Sequence, residues 1–456
     1  MDDRRSPAND QLRAIATITR KDLDRLAVPA IISGIAEPII ALVDTAFVGR
    51  LGATDLAAVG ISSSFFLLVL WVLAQTRSAV LAAVARYYGQ DRVHDIKDLV
   101  PIALWLNFGL GLLFFAITNP MARTIFEWYN AEGEVLEKAV AYYHVRSIGH
   151  PIVLATFAMT GAFRGIQNMT WSMWISIVGA VVNLALNPLL IFGYGPVQGM
   201  GMQGSAWSSL IAQVVMFGLA LWVMYARTPF RLFPERWNHP ELRGLMRNSG
   251  NLFARAITLN ACYYLGTRLS AGYGVAAVGA HSIAMQLWLF SAFFMDGYAA
   301  AGSVVAGRLH GAGDRAQLHR VSWQVVRVTV AIGGGLSFLY VLAYRKFGGL
   351  FTTDAEVLAH FNAVFWLVIV TQPINAVAFG WDGIFKGLGD GASLRNALLF
   401  STFVIFIPLA YLGDHLGWEL HGVWIAFNCW MIARGLWLTI GFEQRYGRSA
   451  KAIPTE

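Results

Sequence analysis

The chain has 456 residues, 56% of them hydrophobic and only 13% charged, with a formal net charge of +7 and a mean hydropathy of +0.53. Soluble domains carry about 25% charged residues, so a water-facing globule is excluded. The positive balance does not point to nucleic acid. The charges sit in short segments between apolar runs, where membrane orientation requires them, and no nucleic-acid partner is expected.

The apolar runs are long enough for transmembrane helices and do not alternate. That excludes a β-barrel and leaves an all-α membrane protein whose main partner is the lipid bilayer. Residues 1–24 read as a polar cytoplasmic segment without the apolar core of a signal peptide, with an interfacial helix from about Leu12. Residues 25–226 then hold six apolar spans, centred near Ile39, Leu70, Gly111, Leu154, Leu184 and Val215. A polar connection, 227–246, follows. Residues 247–443 hold six more, centred near Leu259, Phe290, Gly334, Val370, Ile405 and Ile432, and 444–456 form a cytoplasmic tail. Each span is about 20–25 residues, enough for a hydrocarbon core of about 30 Å. The expectation is twelve transmembrane helices in two pseudo-symmetric six-helix bundles.

The halves repeat at one fixed offset. Pro151, Gly161, Phe163, Arg164 and Gly165 recur as Pro373, Gly383, Phe385, Lys386 and Gly387, and Gly89 recurs as Gly311. The tetrapeptide AAVG, at Ala57–Gly60 and Ala276–Gly279, is out of step with this offset and adds little. An even number of spans gives both halves one orientation, the parallel-repeat plan of transporters with a site near the midplane. Of the 34 Lys and Arg residues, 24 fall on the side that holds both termini, seven on the other and three inside spans. The positive-inside rule then places both termini in the cytoplasm.

The stretch Ile31–Gly52 carries Glu37 and Asp44 inside an apolar span. A carboxylate at membrane depth costs about 2.5–3.5 kcal/mol on insertion scales, which marks an ion or proton site facing protein. Asp44 is the first candidate and Glu37 a secondary one, which a helix cap or an arginine would equally explain. Pro29 and Pro38 lie in the same helix, where a proline removes a hydrogen bond and permits a bend. Asn183 and Asn187 are four apart and share a face of the fifth span, beside Pro188. Their amides suit a proton network or Na⁺, or plain helix-to-helix hydrogen bonds. In the second half, Asn375, Asp296 and Arg255 are further polar groups within the spans. Asp382 and Lys386 read as an interfacial pair, and Arg77 as a helix anchor. His150, His281, Cys262 and Cys429 read as core residues. Phe65, Met159 and Met173 are weak candidates for an adaptable substrate cavity. No phosphate-binding loop, HExxH, CxxC or GxSxG motif is present, so an enzyme is not expected. No cofactor or metal is expected either, and energy would come from an ion gradient.

At VDTAFVGRLGATDLAAVG, residues 43–60, the chain resembles the multidrug and toxic compound extrusion (MATE) transporters, in particular their DinF-like branch. The likeness extends through both halves, residues 20–445, including the corners AFRG and IFKG. The resemblance implies the MATE fold, a V-shaped pair of lobes that exports small cationic or amphipathic compounds by H⁺ or Na⁺ antiport. It implies that Asp44 is the first-helix aspartate tied to cation coupling, Pro29 the bending proline, and Asn183 and Asn187 the fifth-helix pair of the N-lobe site. Some members have Asp at the position of Asn187, and the Na⁺-coupled branch has an acid at Asn375. Asn187 removes one negative charge from the N-lobe site, whereas the missing acid at Asn375, with Arg255, favours N-lobe coupling and H⁺ over Na⁺. Glu37 has no matched counterpart. A monomeric exporter of the inner membrane is expected. The alternatives are a lipid-linked-oligosaccharide flippase of the wider superfamily, which would need a more cationic cavity than Arg77 and Arg255 supply, and a non-transporting membrane scaffold.

Overall fold

A computed structural model describes residues 18–447. The expected interfacial helix from Leu12 lies mostly outside the described residues, as does most of the expected tail. The side chain of Glu37 lies outside them too.

The chain is helical almost throughout. Its first half comprises α1 (Arg20–Val48), α2 (Ala53–Leu73), α3 (Gln75–Gly89), α4 (Leu99–Thr118), α5 (Ala122–Trp128), α6 (Gly133–Arg146), α7 (Gly149–Gly165), α8 (Met169–Phe192) and α9 (Met202–Arg227). Between α8 and α9, Gly193 pairs with Gln198 and Tyr194 with Val197 in a two-strand antiparallel hairpin. The second half comprises α10 (Leu242–Gly272), α11 (Val275–Gly311), α12 (Arg315–Leu342), α13 (Tyr344–Phe347), α14 (Ala355–Leu388), α15 (Gly391–Phe400), α16 (Ile407–His415) and α17 (Glu419–Tyr446). A π-helical turn, Ser401–Phe406, joins α15 to α16.

Among the described residues, nine helical stretches are long and apolar enough to cross a membrane by length and composition. The segment Ala53–Gly89 counts as one of them. The helices at the expected first, fourth and seventh spans fall outside that measure. The central α7 has only 17 residues, the apolar run of α10 is interrupted by charged and polar side chains, and several side chains of α1 lie outside the described residues.

Each half has its own core. Val48, Phe66, Phe126 and Tyr142 belong to a cluster formed largely by the first half. Trp288, Phe365, Trp424 and Trp430 belong to one in the second. A third cluster, including Val84, Phe163, Val305 and Phe385, joins both halves at the end of the bundle that carries both termini.

Lipid gives helices little hydrophobic reason to associate, so close backbone packing through small residues has to do it. The internal repeat is built on such contacts. A Cβ on Gly161 would meet the Arg77 carbonyl, and one on Gly383 the Ala299 carbonyl. A Cβ on Gly165 would crowd Val84 and Leu81, and one on Gly387 the Ser303 carbonyl. Gly111 lies against Pro151 and Gly333 against Gln372. Every one of these first-half glycines has its counterpart at the repeat offset in the second half, facing an equivalent or adjacent position. The periodicity in the sequence is therefore a repeat of packing geometry.

Candidate functional site

Asp44 lies near the end of α1, where the helix packs against α8, and is 7% exposed. Its two oxygens meet two different helices. Asn187 on α8 donates Nδ2 to Asp44 Oδ1 at 2.6 Å, and Ser209 on α9 donates its hydroxyl to Oδ2 at 2.9 Å.

These donors are themselves held. Asn187 Nδ2 also donates to Asn183 Oδ1 at 3.2 Å. Ser208 donates to Asn187 Oδ1 at 2.7 Å, and Asn183 Nδ2 donates to Ser209 Oγ at 3.1 Å. Asn183, Asn187 and Ser208 are fully buried. A buried polar network of this kind is rigid only when its members are satisfied, and here each amide oxygen accepts a bond.

No ion pair among the described residues includes Asp44. Arg146 acts on it electrostatically, but its guanidinium lies over the Phe66 ring, 4.0 Å from the centroid. The carboxylate is thus held by neutral donors. That suits a group whose charge changes, because a fixed arginine partner would oppose losing it.

The structure brings together three of the residues singled out by the sequence, Asp44, Asn183 and Asn187. It adds Ser208 and Ser209, which the sequence reading missed. The signal was present in SAWSSL, residues 205–210, where Ser205, Ser208 and Ser209 share one helical face. Pro29 is buried within α1, nearer the start of the helix than Asp44.

The other candidates lie elsewhere. Asp382 pairs with Lys386 as its spacing suggests, and its side chain is buried, 2% exposed. Arg255 donates to its Oδ1 from Nε at 3.1 Å and from Nη2 at 2.5 Å, Arg434 reaches Oδ1 at 3.5 Å and Lys386 reaches Oδ2 at 2.7 Å. Three cations on α10, α14 and α17 thus converge on one carboxylate. Asp296, midway along α11, is exposed and feels the charges of all four. Asn375 is fully buried, and neither of its amide atoms has a partner among the described residues.

Arg77 stacks over Phe157 at 5.0 Å. Phe65 is half-buried against Tyr143, 5.5 Å between ring centres, and Met173 is half-buried. Met159 lies in the protein interior. It is fully buried within the core shared by the two halves, so it lines no open surface in this conformation. Its slender side chain fills a gap between close-packed helices instead.

The sequence model of the MatE family matches residues 29–189 and 252–412. The chain is similar to Protein DETOXIFICATION 44, chloroplastic, of Arabidopsis thaliana, with 29% identity over 90% of this chain and 80% of that protein. It is also similar to DNA damage-inducible protein F of Escherichia coli, 26% identical over 93% of this chain and 92% of that one. The probable multidrug resistance protein NorM of Xanthomonas campestris is 25% identical over 94% and 95%. Among solved structures, a MOP-superfamily transporter from Pyrococcus furiosus has the same fold, with a TM-score of 0.85 at 20% identity over 93% of this chain and 95% of that one. The outward-facing conformation of a multidrug resistance MATE family transporter gives a TM-score of 0.83 at 20% identity over 93% and 96%.

Proposed function

Because the chain belongs to the MATE family of multidrug efflux transporters, we propose that it is a secondary antiporter of the inner membrane, exporting amphipathic or cationic compounds in exchange for protons through Asp44. The observation that carries this reading is the neutral hydrogen-bond shell of a buried, unpaired carboxylate. Ionised, Asp44 accepts from Asn187 and Ser209. Protonated, its Oδ2–H can donate to the Ser209 hydroxyl, which accepts as readily as it donates.

A proton fits this shell better than Na⁺. The Asn183 and Asn187 side-chain oxygens already accept from N–H or O–H groups, and a metal ion would need them turned toward it. In the proposed cycle, ionised Asp44 draws a cationic solute to the first half, and protonation removes that attraction. Only such a difference in affinity between states can drive export. Pro29 leaves the Arg25 carbonyl without its helical partner, a point at which α1 can bend as the charge changes.

The same reading divides the chain into an N-lobe, residues 25–226, and a C-lobe, residues 247–443, joined by 227–246. Both termini are cytoplasmic, as the distribution of Lys and Arg supports, and the unit is a monomer.

The test is efflux of a cationic dye from proteoliposomes under an imposed pH gradient or an imposed Na⁺ gradient, one at a time. Proton-driven efflux lost in Asp44→Asn is expected. Unchanged proton-driven efflux in that variant, or efflux driven by Na⁺ alone, rejects the proposal.

A further inference from the structure

The two halves meet along a seam at the terminus-bearing end, and its centre is reciprocal. A Cβ on Gly89 would collide with the Arg308 carbonyl, and a Cβ on Gly311 would collide with the Arg86 carbonyl. Gly311 is the repeat counterpart of Gly89, and Arg308 that of Arg86. The remaining contacts keep the same register. A Cβ on Gly307 would sit 2.7 Å from Ala85 Cβ, and Ala30, Leu81, Ala85 and Met169 share a small buried cluster with Val304. One face of α3 therefore packs on its own repeat in α11, an isologous contact within a single chain.

A polar clasp lies beside this crossing. Glu241, immediately before α10, takes Arg86 Nη2 on Oε2 at 2.5 Å and the Tyr87 hydroxyl on Oε1 at 3.1 Å. The seam continues on either side. Gln167 donates to the Val304 carbonyl at 3.0 Å, and the Tyr298 hydroxyl donates to Asp24 at 3.2 Å.

Toward the opposite end the seam stops. Gly297 is buried against Ile31, yet Asp296 beside it and Ser282 and Gln286 nearer the start of α11 are exposed. Polar side chains at that depth face water or protein rather than lipid. The buried seam therefore runs along the terminus-bearing end and does not extend to the exposed side chains before Gly297.

We propose that the Gly89–Gly311 crossing is the closure point of the cytoplasmic gate and that Glu241, gripping Arg86 and Tyr87, is its clasp. Opening that entrance separates α3 from α11. The seam suits such a switch. Small residues let the backbones approach closely, and parting them leaves no long side chains to disentangle. The inference takes from the family reading only that access alternates between the two ends, and is independent of which ion drives export.

The test uses the full chain in lipid nanodiscs, with Cys262 and Cys429 replaced by alanine and nitroxide labels at Gln90→Cys and Ala316→Cys. Electron–electron distance measurements then report the separation of the end of α3 from the start of α12, which directly follows α11, without gradient or substrate. Gly89→Ala and Gly311→Ala should each raise the long-distance population about tenfold or more, as expected of overpacking. Glu241→Gln, a milder change at the surface that guards against misfolding of the glycine variants, should raise it about two- to fivefold. Gly109→Ala, where a Cβ meets nothing within 4 Å, should leave it unchanged. An unaltered distance distribution in Glu241→Gln and in whichever glycine variants fold overturns the gate. Failure of proton-driven efflux in the unmodified protein would overturn the coupling proposal and leave these distances as they are.

Discussion

Asn187 on α8 donates to Oδ1 of Asp44 on α1 across 2.6 Å, tying the only described carboxylate of the α1 apolar span to a helix 143 residues further along the chain. A hydrogen bond to a charged group is worth about 1.5–3 kcal/mol. Asn187→Ala should therefore slow proton-driven efflux about tenfold or more. The amount of protein in the membrane should stay near that of the unmodified chain. Quantitative immunoblotting beside vesicle transport separates the two effects, and normal transport in the variant would show that the amide is dispensable.

Ser209 offers a sharper distinction. Ser209→Ala removes the one donor to Asp44 Oδ2 that can reverse its role, whereas Ser209→Thr keeps the hydroxyl. Alanine should impair proton-driven efflux and threonine should restore most of it. Equal rates in both variants would separate the hydroxyl from proton handling.

The charge cluster of the second half should behave as a structural element. Asp382→Asn leaves Arg255, Lys386 and Arg434 without their shared carboxylate. Breaking a buried pair by removing one partner costs about 3–5 kcal/mol. The expected result is a large fall in the thermal unfolding midpoint in detergent, and an unchanged midpoint would argue against this role.

The repeat makes a paired prediction. Gly161→Ala and Gly383→Ala each push a methyl group into a helix backbone, and overpacking of this kind costs about 1–3 kcal/mol. Both should lower the unfolding midpoint to a similar degree. Gly34→Ala, with nothing within 4 Å of the added Cβ, should not.

Outside the membrane, Asp22 shows a pH effect of definite sign. Thr19 donates to its Oδ2 from the backbone at 2.8 Å and from the hydroxyl at 2.7 Å. Those bonds, the backbone one foremost, hold its carboxyl below the ordinary value. Its contribution to stability is therefore present above an unfolded pKa of about 4 and is lost as pH falls through the lower folded value. Amide protection factors in the first turn of α1, which divide out the intrinsic slowing of exchange in acid, should fall on acidification in the native chain. In Asp22→Asn that step should be absent.

Several features were legible in the sequence because they depend on composition or local spacing. Apolar runs of span length require helices in lipid, and a charge inside such a run must find a protein partner. Asp44, Asn183 and Asn187 were therefore visible as candidates before any packing was known. The offset between the halves was visible too, because glycines at close backbone crossings tolerate no substitute. The shell around Asp44 was less legible. Ser208 and Ser209 are ordinary residues in an apolar helix until α9 is placed against α1.

Composition and spacing alone establish a membrane-embedded helical chain built from two like halves, with a carboxylate in its first span. Those properties follow from what water and lipid each exclude. Packing between helices sets which partners that carboxylate has, and makes them neutral. It also gathers Arg255 and Arg434 beside Lys386 around a buried Asp382, and it brings Gly89 and Gly311 into opposition. The reason is distance along the chain. Arg255 and Asp382 are 127 residues apart, and a contact of that kind leaves no mark on local spacing. It exists only once the helices have chosen their neighbours.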